Sequence, residues 1–256
     1  MMKRLILTLL FAGLALSSCV GTDVGNPQES DVEIDVKGYE STNASALTLP
    51  SGLRIDSAWI SLSQFEFRPA DDCDARATVV EQPILVDVIS NQTVTERPTF
   101  STDAGQYCRL DASFIPWSGD VPEGAPDAIV GQAIVVEGAR ADGTEFVVRS
   151  DMDIQLRMNA TNNAFALDEG TEKLIIGFAI DEWFNESALD AIDPADEPII
   201  IDQGSNTAVW AQFNAALRRS SRLFRDDDGD NEIGMSERAD ELARGEAASE
   251  QANNGQ

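Results

Sequence analysis

The sequence predicts a mainly β protein: an antiparallel β-sandwich followed by a C-terminal helical segment. Three observations carry that prediction. Apolar residues alternate at period two in several short runs between Asp31 and Asp181, the pattern of half-buried strands. Nothing in that region sustains apolar residues at helical spacing. The one good helical stripe, Val209, Phe213, Ala216, Leu217, Ser220 and Phe224, comes near the C-terminus, with apolar positions recurring at i, i+3 and i+4.

The chain opens with Met1-Met2-Lys3-Arg4, a positive segment, and an apolar run of eleven residues from Leu5 to Ala15. A bilayer crossing needs about 20 apolar residues, so the run reads as an export signal. Leu16-Ser17-Ser18-Cys19 follows and resembles the lipobox of bacterial lipoproteins. The resemblance implies removal of residues 1–18 and acylation of Cys19 with diacylglycerol and palmitate. More than one acyl chain marks stable attachment to a membrane. Val20, rather than Asp, after the cysteine implies the outer membrane of a Gram-negative cell. Residues 19–30 then form a lipidated tether. Its eleven residues from Val20 to Ser30 reach at most about 36–40 Å when extended.

The chain has 45 acidic and 18 basic residues and no histidine. Loss of Lys3 and Arg4 with the signal leaves 45 acidic against 16 basic groups, a net charge of −29. Such a surface repels nucleic acid and suits cations. Without histidine, Ser-His-Asp and Cys-His nucleophile systems and the HExxH zinc motif are excluded. Lipidation of Cys19 would leave Cys73 and Cys108 as a pair in an oxidising compartment, where a disulfide is expected.

From Asp31, Val32, Ile34 and Val36 alternate with charged residues as a first strand. Arg54 to Arg68 is a long strand in which Ala58, Ile60 and Leu62 share one parity and Phe65 and Phe67 the other. One straight strand cannot bury both sets, so a bulge is expected near Ser63-Gln64. Asp103-Ala104-Gly105-Gln106-Tyr107 resembles the tyrosine corner of immunoglobulin-like sandwiches, in which the hydroxyl ties the turn to upstream backbone. Alternation past the corner sets Cys108, Leu110, Ala112 and Phe114 on one face, and Tyr107, Arg109 and Asp111 on the other. Asp142-Gly143 signals a type I′ hairpin with Arg140 opposite Glu145. Ile154, Leu156 and Met158, then Leu174 to Ile180, complete a β domain over residues 31–202.

Residues 203–247 are expected as helix, loop and helix. Asn206 or Thr207 caps the first helix, and Arg218, Arg219, Arg222 and Arg225 sit in its last turns, where the dipole favours cations. Asp226 to Glu237 aligns with a twelve-residue EF-hand loop. Asp226, Asp228 and Asp230 take the first, third and fifth positions, Glu232 offers its carbonyl at the seventh, and Glu237 is the bidentate twelfth ligand. Ile233 is the apolar eighth residue. Asn231 replaces the usual glycine at the sixth position, and Asn tolerates the left-handed conformation needed there. A single loop of this kind implies one weak structural calcium. Residues 248–256 are a small, polar tail.

The chain as a whole resembles surface lipoproteins of Gram-negative bacteria with a lipobox, a GTxxGNP-like tether (Gly21 to Pro27), an Ig- or transthyretin-like sandwich and an EF-hand- or dockerin-like loop. The resemblance implies no activity. The expected function is therefore a non-enzymatic, outer-membrane-anchored role in adhesion or assembly, with an envelope protein or glycan as partner. One alternative is carbohydrate or solute binding on exposed Trp117, Trp210, Trp59 or Trp183. Another is a carboxylate-based hydrolase, which needs two acids converging in a cleft.

Overall fold

The structure is a computed structural model that describes residues 28–39, 46–75, 77–193 and 198–246. Cys19 with its lipobox, nearly all of the tether, and the tail from Ala248 lie outside the described residues. Strand β1 (Glu29–Tyr39) buries Val32, Ile34 and Val36 completely, as their alternation requires. It is followed by β2 (Leu47–Thr48), β3 (Arg54–Pro69), β4 (Ile84–Asp87), β5 (Gln92–Thr93), β6 (Thr99–Asp103) and β7 (Gly105–Phe114). Then come β8 (Ile134–Ala139), β9 (Glu145–Ser150), β10 (Ile154–Ala160), β11 (Phe165–Leu167) and β12 (Gly170–Ala179). The C-terminal part holds α1 (Glu186–Asp190), β13 (Ile199–Ile201), α2 (Thr207–Arg219), β14 (Ser221–Arg225), α3 (Met235–Ala239) and β15 (Ala243–Gly245).

The protein is mainly β, and its strands join in one curled mixed sheet ordered β13-β9-β8-β3-β7-β10-β15-β14-β12-β1-β6. Two pairs depart from the antiparallel expectation: β1 runs parallel to β12, and β13 parallel to β9. Period-two alternation is the same for either direction, and both connections exceed the dozen residues that a parallel crossover needs. The curl brings the far end of the path back towards β3. Pairing of β4 with β3 carries the chain to β1, where Ile34 donates to the Pro98 carbonyl (2.9 Å) and Gly38 to Asn91 Oδ1 (2.8 Å).

The sheet wraps a single main core, and α2 closes one end of it. A chain of ring contacts marks the closure: Phe114 to Phe178 at 6.1 Å, Phe178 to Trp183 at 6.2 Å and Trp183 to Phe213 at 5.9 Å. It continues through Phe184 to Phe146, each step 5.3 Å. Such pairs add about 0.5–1.5 kcal/mol each beyond their buried area. The Trp183 indole donates to Ser220 Oγ (2.9 Å), so the ring's one polar atom is matched where it is buried.

The parity switch in β3 resolves as expected. Gln64 adopts φ +57°, and the β3–β7 register shifts between Ser63 and Glu66, so Leu62, Phe65 and Phe67 all reach the core. A second shift, unforeseen, lies where Arg68 faces Arg109 but Pro69 faces Tyr107, leaving Cys108 as the extra residue. Tyr107 therefore joins Leu110 in the core, 5.5 Å from the Phe67 ring, and not the face of Arg109 and Asp111. The hydroxyl does reach back to upstream backbone. Tyr107 donates to the Asp103 carbonyl, with Thr102 Oγ1 3.1 Å from the hydroxyl, and burial raises the Tyr107 phenol above its usual range. Cys108 is bonded to Cys73, with Cα atoms 6.0 Å apart. Closing a loop of that span contributes roughly 3–4 kcal/mol in the chain-entropy picture.

The loop so closed covers a charged patch. Asp111, 3% exposed, lies 3.2 Å from Arg68, 3.1 Å from Arg109 and 3.5 Å from Arg157. Arg68 also pairs with Glu66 (2.7 Å) and donates to the Ala75 carbonyl, while Arg109 donates to the Cys73 carbonyl. These residues tie β3, β7, β10 and the disulfide loop together.

Other details differ from the sequence reading. Ala139, not Arg140, faces Glu145, because the hairpin turns on three residues with Gly143 at φ +90°. Arg140 turns back to Asp142 and donates to the Ile192 carbonyl. Asn206 is the N-cap residue of α2 as expected, but its side chain makes no capping bond and donates instead to the Ile200 carbonyl. The helix stops at Arg219, where the Ser220 and Ser221 hydroxyls donate to the Leu217 and Arg218 carbonyls and satisfy the helix end. Arg222, Phe224 and Arg225 therefore belong to a strand, and of the expected final helix only Met235–Ala239 forms. Residues 243–245 instead insert between β10 and β14.

Two glycines separate packing from convention. A Cβ on Gly245 would meet the Arg218 carbonyl at 1.9 Å, whereas one on Gly105 meets nothing within 4 Å. Gly245→Ala is expected to cost about 1–3 kcal/mol, and Gly105→Ala to lie within about 0.5 kcal/mol of wild type, both read from urea midpoints. Asp111→Asn, which takes the carboxylate from Arg109 and Arg157 and leaves Arg68 only Glu66, is expected to cost about 3–5 kcal/mol in the same assay.

Candidate metal centre

The end of β14 delivers the acidic loop. Asp226 extends the ladder with β12 by donating its N–H to the Lys173 carbonyl (2.9 Å) and is 7% exposed. Beyond it the backbone winds around its own carboxylates. Asp226 Oδ1 accepts from Gly229 N–H (3.0 Å) and Oδ2 from Asn231 N–H (3.3 Å). Asp228 Oδ1 accepts from Asp230 N–H (3.2 Å), and Asp230 Oδ1 from Glu232 N–H (2.7 Å). The turn needs left-handed backbone at Gly229 (φ +76°) and Asn231 (φ +57°), the second being the position where Asn stands for glycine.

This winding brings a carboxylate oxygen from each of Asp226, Asp228 and Asp230 within 4.8 Å of one another. Each such pair repels by about 1 kcal/mol in bulk water and about 3–4 kcal/mol at an effective dielectric of 20. Glu232 is exposed and points no carboxylate into that trio. Glu237, in the first turn of α3, is 2% exposed. Its Oε2 accepts from the Ser236 hydroxyl (3.0 Å), while its Oε1 is buried with no hydrogen-bond partner among the described residues. It stands outside the mutual 4.8 Å group.

The loop is fixed from below. The Ile233 side chain lies against Gly177 of β12, where a Cβ would approach its Cδ1 to 2.7 Å. Arg238 sits 5.1 Å above the Tyr39 ring and donates to the Ile233 carbonyl. The apolar eighth residue, which in a paired EF-hand faces a second loop, here faces the sheet. A strand enters the loop and a five-residue helix leaves it, so the expected helix–loop–helix is corrected to strand–loop–helix.

The tryptophans form no common platform. Trp59 and Trp183 are buried. Trp117 and Trp210 are half-buried, and their indoles donate to the Asp120 and Arg149 carbonyls. Trp117 does border a cleft of about 430 Å³ at the β3 bulge, with Ser63, Gln64 and Glu81. The Asp111 patch was missed in the sequence, although Arg109 and Asp111 on one strand face were its visible sign.

Comparisons with protein-family models, with curated proteins and with solved structures find no match.

If the three aspartates repel as their spacing requires, Asp230→Asn should raise stability by about 1 kcal/mol in chelator. An amide oxygen still accepts from Glu232 N–H there. Urea midpoints in excess chelator test this, and a lower midpoint in the variant would contradict it.

Proposed function

We propose that this chain is a non-enzymatic, lipid-anchored protein of the bacterial outer membrane, with a structural, adhesive or assembly role and one bound calcium ion. The observation that carries the calcium reading is the convergence of Asp226, Asp228 and Asp230 together with the buried, unmatched oxygen of Glu237. An all-oxygen donor set without histidine or thiolate fits a hard cation, and several carboxylates together with a backbone carbonyl fit calcium better than magnesium. The three aspartates, the Glu232 carbonyl and Glu237 would hold the ion. Calcium would supply charge neutralisation, clamping the chain between β14 and β15.

Anchoring rests on the lipobox and Cys19. The tyrosine corner at Tyr107 supports the finer, immunoglobulin-like reading of the fold. An anchored protein of net charge −29 meets cations at the envelope surface, where a site with a dissociation constant of order 10⁻⁴–10⁻³ M is useful. At about ten times that constant, calcium adds about 1.4 kcal/mol.

Two experiments test the proposal. Calcium should raise the melting temperature of the wild type by about 2–4 °C over chelator and leave Asp228→Ala unmoved; equal shifts in both would dispose of the loop. Cys19→Ala should lose radiolabelled palmitate and leave the membrane fraction, and unchanged fractionation would overturn the anchor.

A further inference from the structure

We infer that a cavity at the β9–β13 edge binds a zwitterionic ligand of amino-acid or dipeptide size. The cavity measures about 350 Å³ and is lined by Gln132, Arg149, Asp151, Asp202, Gln203 and Gly204, a volume at the lower end of small-molecule sites. Its cation is the unusual feature. Four described arginines have a buried Nε without a hydrogen-bond acceptor: Arg97, Arg140, Arg149 and Arg157. Three of them lie beside a carboxylate, Arg97 at 3.1 Å from Asp35, Arg140 at 3.8 Å from Asp190 and Arg157 at 3.5 Å from Asp111. Arg149 has neither acceptor nor ion pair among the described residues. In a chain with 45 acidic residues, a half-buried guanidinium that no carboxylate contacts directly is a group prepared for an external carboxylate.

Its acidic neighbours are turned to other work. The parallel register that sets Ile201 opposite Val148 carries Asp202 alongside Arg149. Asp202 Oδ1 nevertheless accepts from the N–H groups of Gly204 (2.8 Å) and Ser205 (2.7 Å). Asp151 Oδ1 accepts from Gln203 Nε2 (2.8 Å). Each keeps its second oxygen without a partner among the described residues. The cavity therefore presents a fork of N–H donors and two carboxylate acceptors, a net charge of −1. That sum disfavours phosphate and other dianions, which the charge of the whole chain repels as well. A zwitterion matches both signs: its carboxylate faces Arg149 and its ammonium faces Asp151 and Asp202. The inference does not depend on calcium, and the cavity shares no residue with the 226–237 loop.

Trp210 provides the readout, because its indole donates to the Arg149 carbonyl (3.2 Å). The full chain, in chelator, is titrated with the standard free amino acids and glycylglycine while the Trp210 indole N–H resonance is followed by NMR, assigned with Trp210→Phe. At least one zwitterion should shift it saturably. Its N-acetylated form should bind at least about tenfold more weakly, as should the parent ligand to Arg149→Gln. The Trp183 indole resonance reports that the variant stays folded, and Arg149→Lys, which keeps the charge, should retain part of the affinity. Absence of saturation across the panel would overturn the inference. So would equal binding of acetate or inorganic phosphate, or unchanged affinity in folded Arg149→Gln.

Discussion

The parallel ladder between β1 and β12 is the constraint on which most of the architecture depends. It aligns ten residue pairs, from Ser30–Gly170 to Tyr39–Ala179, so both strands start at the same end of the sheet. β14 runs antiparallel to β12, with Leu174 opposite both Arg225 and Ile34, and so runs towards the end at which β1 begins. The acidic loop thus leaves the sheet on the side at which β1 begins. A sheet that must accept β1 between β12 and β6 also has to curl, because the segment after β4 crosses back to pair with Ile34 and Gly38.

Curling buries charge as well as apolar surface. In β1, Asp35 and Lys37 are nearly as buried as Val36, since the crossing segment lies over them. Lys37 is 3.2 Å from Asp35, Arg97 reaches the same oxygen at 3.1 Å, and Thr93 donates to the other. The Asp111 patch solves the same problem on β3, β7 and β10, beneath the loop that Cys73 and Cys108 close. In both places one aspartate is shared by two or more cations, so the buried carboxylate is matched by opposite charge where it leaves water.

How much of this was legible in the sequence depended on whether the cause was local. The bulge at Gln64 was visible because apolar parity changes within β3 itself. The loop was visible because ligand spacing in Asp226–Asp230 is a property of five successive residues. The end of α2 was not, because Ser220 and Phe224 continue the helical stripe, and only packing of Leu223 in the core shows that a strand follows. The shift at Cys108 depends on a partner 35 residues away. Strand direction in β1 and β13 depends on partners still more distant. Arg149 carried no signal at all, since what sets it apart is which carboxylates fail to meet it in space.

β15 is three residues long, comes last among the described elements, and lies in the middle of the sheet, between β10 and β14. Among the described strands β10 and β14 are joined through it, so the path from β10 to β12 stays open until residues 243–245 arrive. β1 likewise waits for β12. Both closures join segments far apart in the chain, and loop entropy must be paid before either contributes, which slows folding. On a ribosome, where residues emerge in order, β1 keeps an open edge until β12 has followed it. The sheet becomes continuous only after residues 243–245 have emerged. The chain's strong negative charge would keep nascent copies apart in the interval.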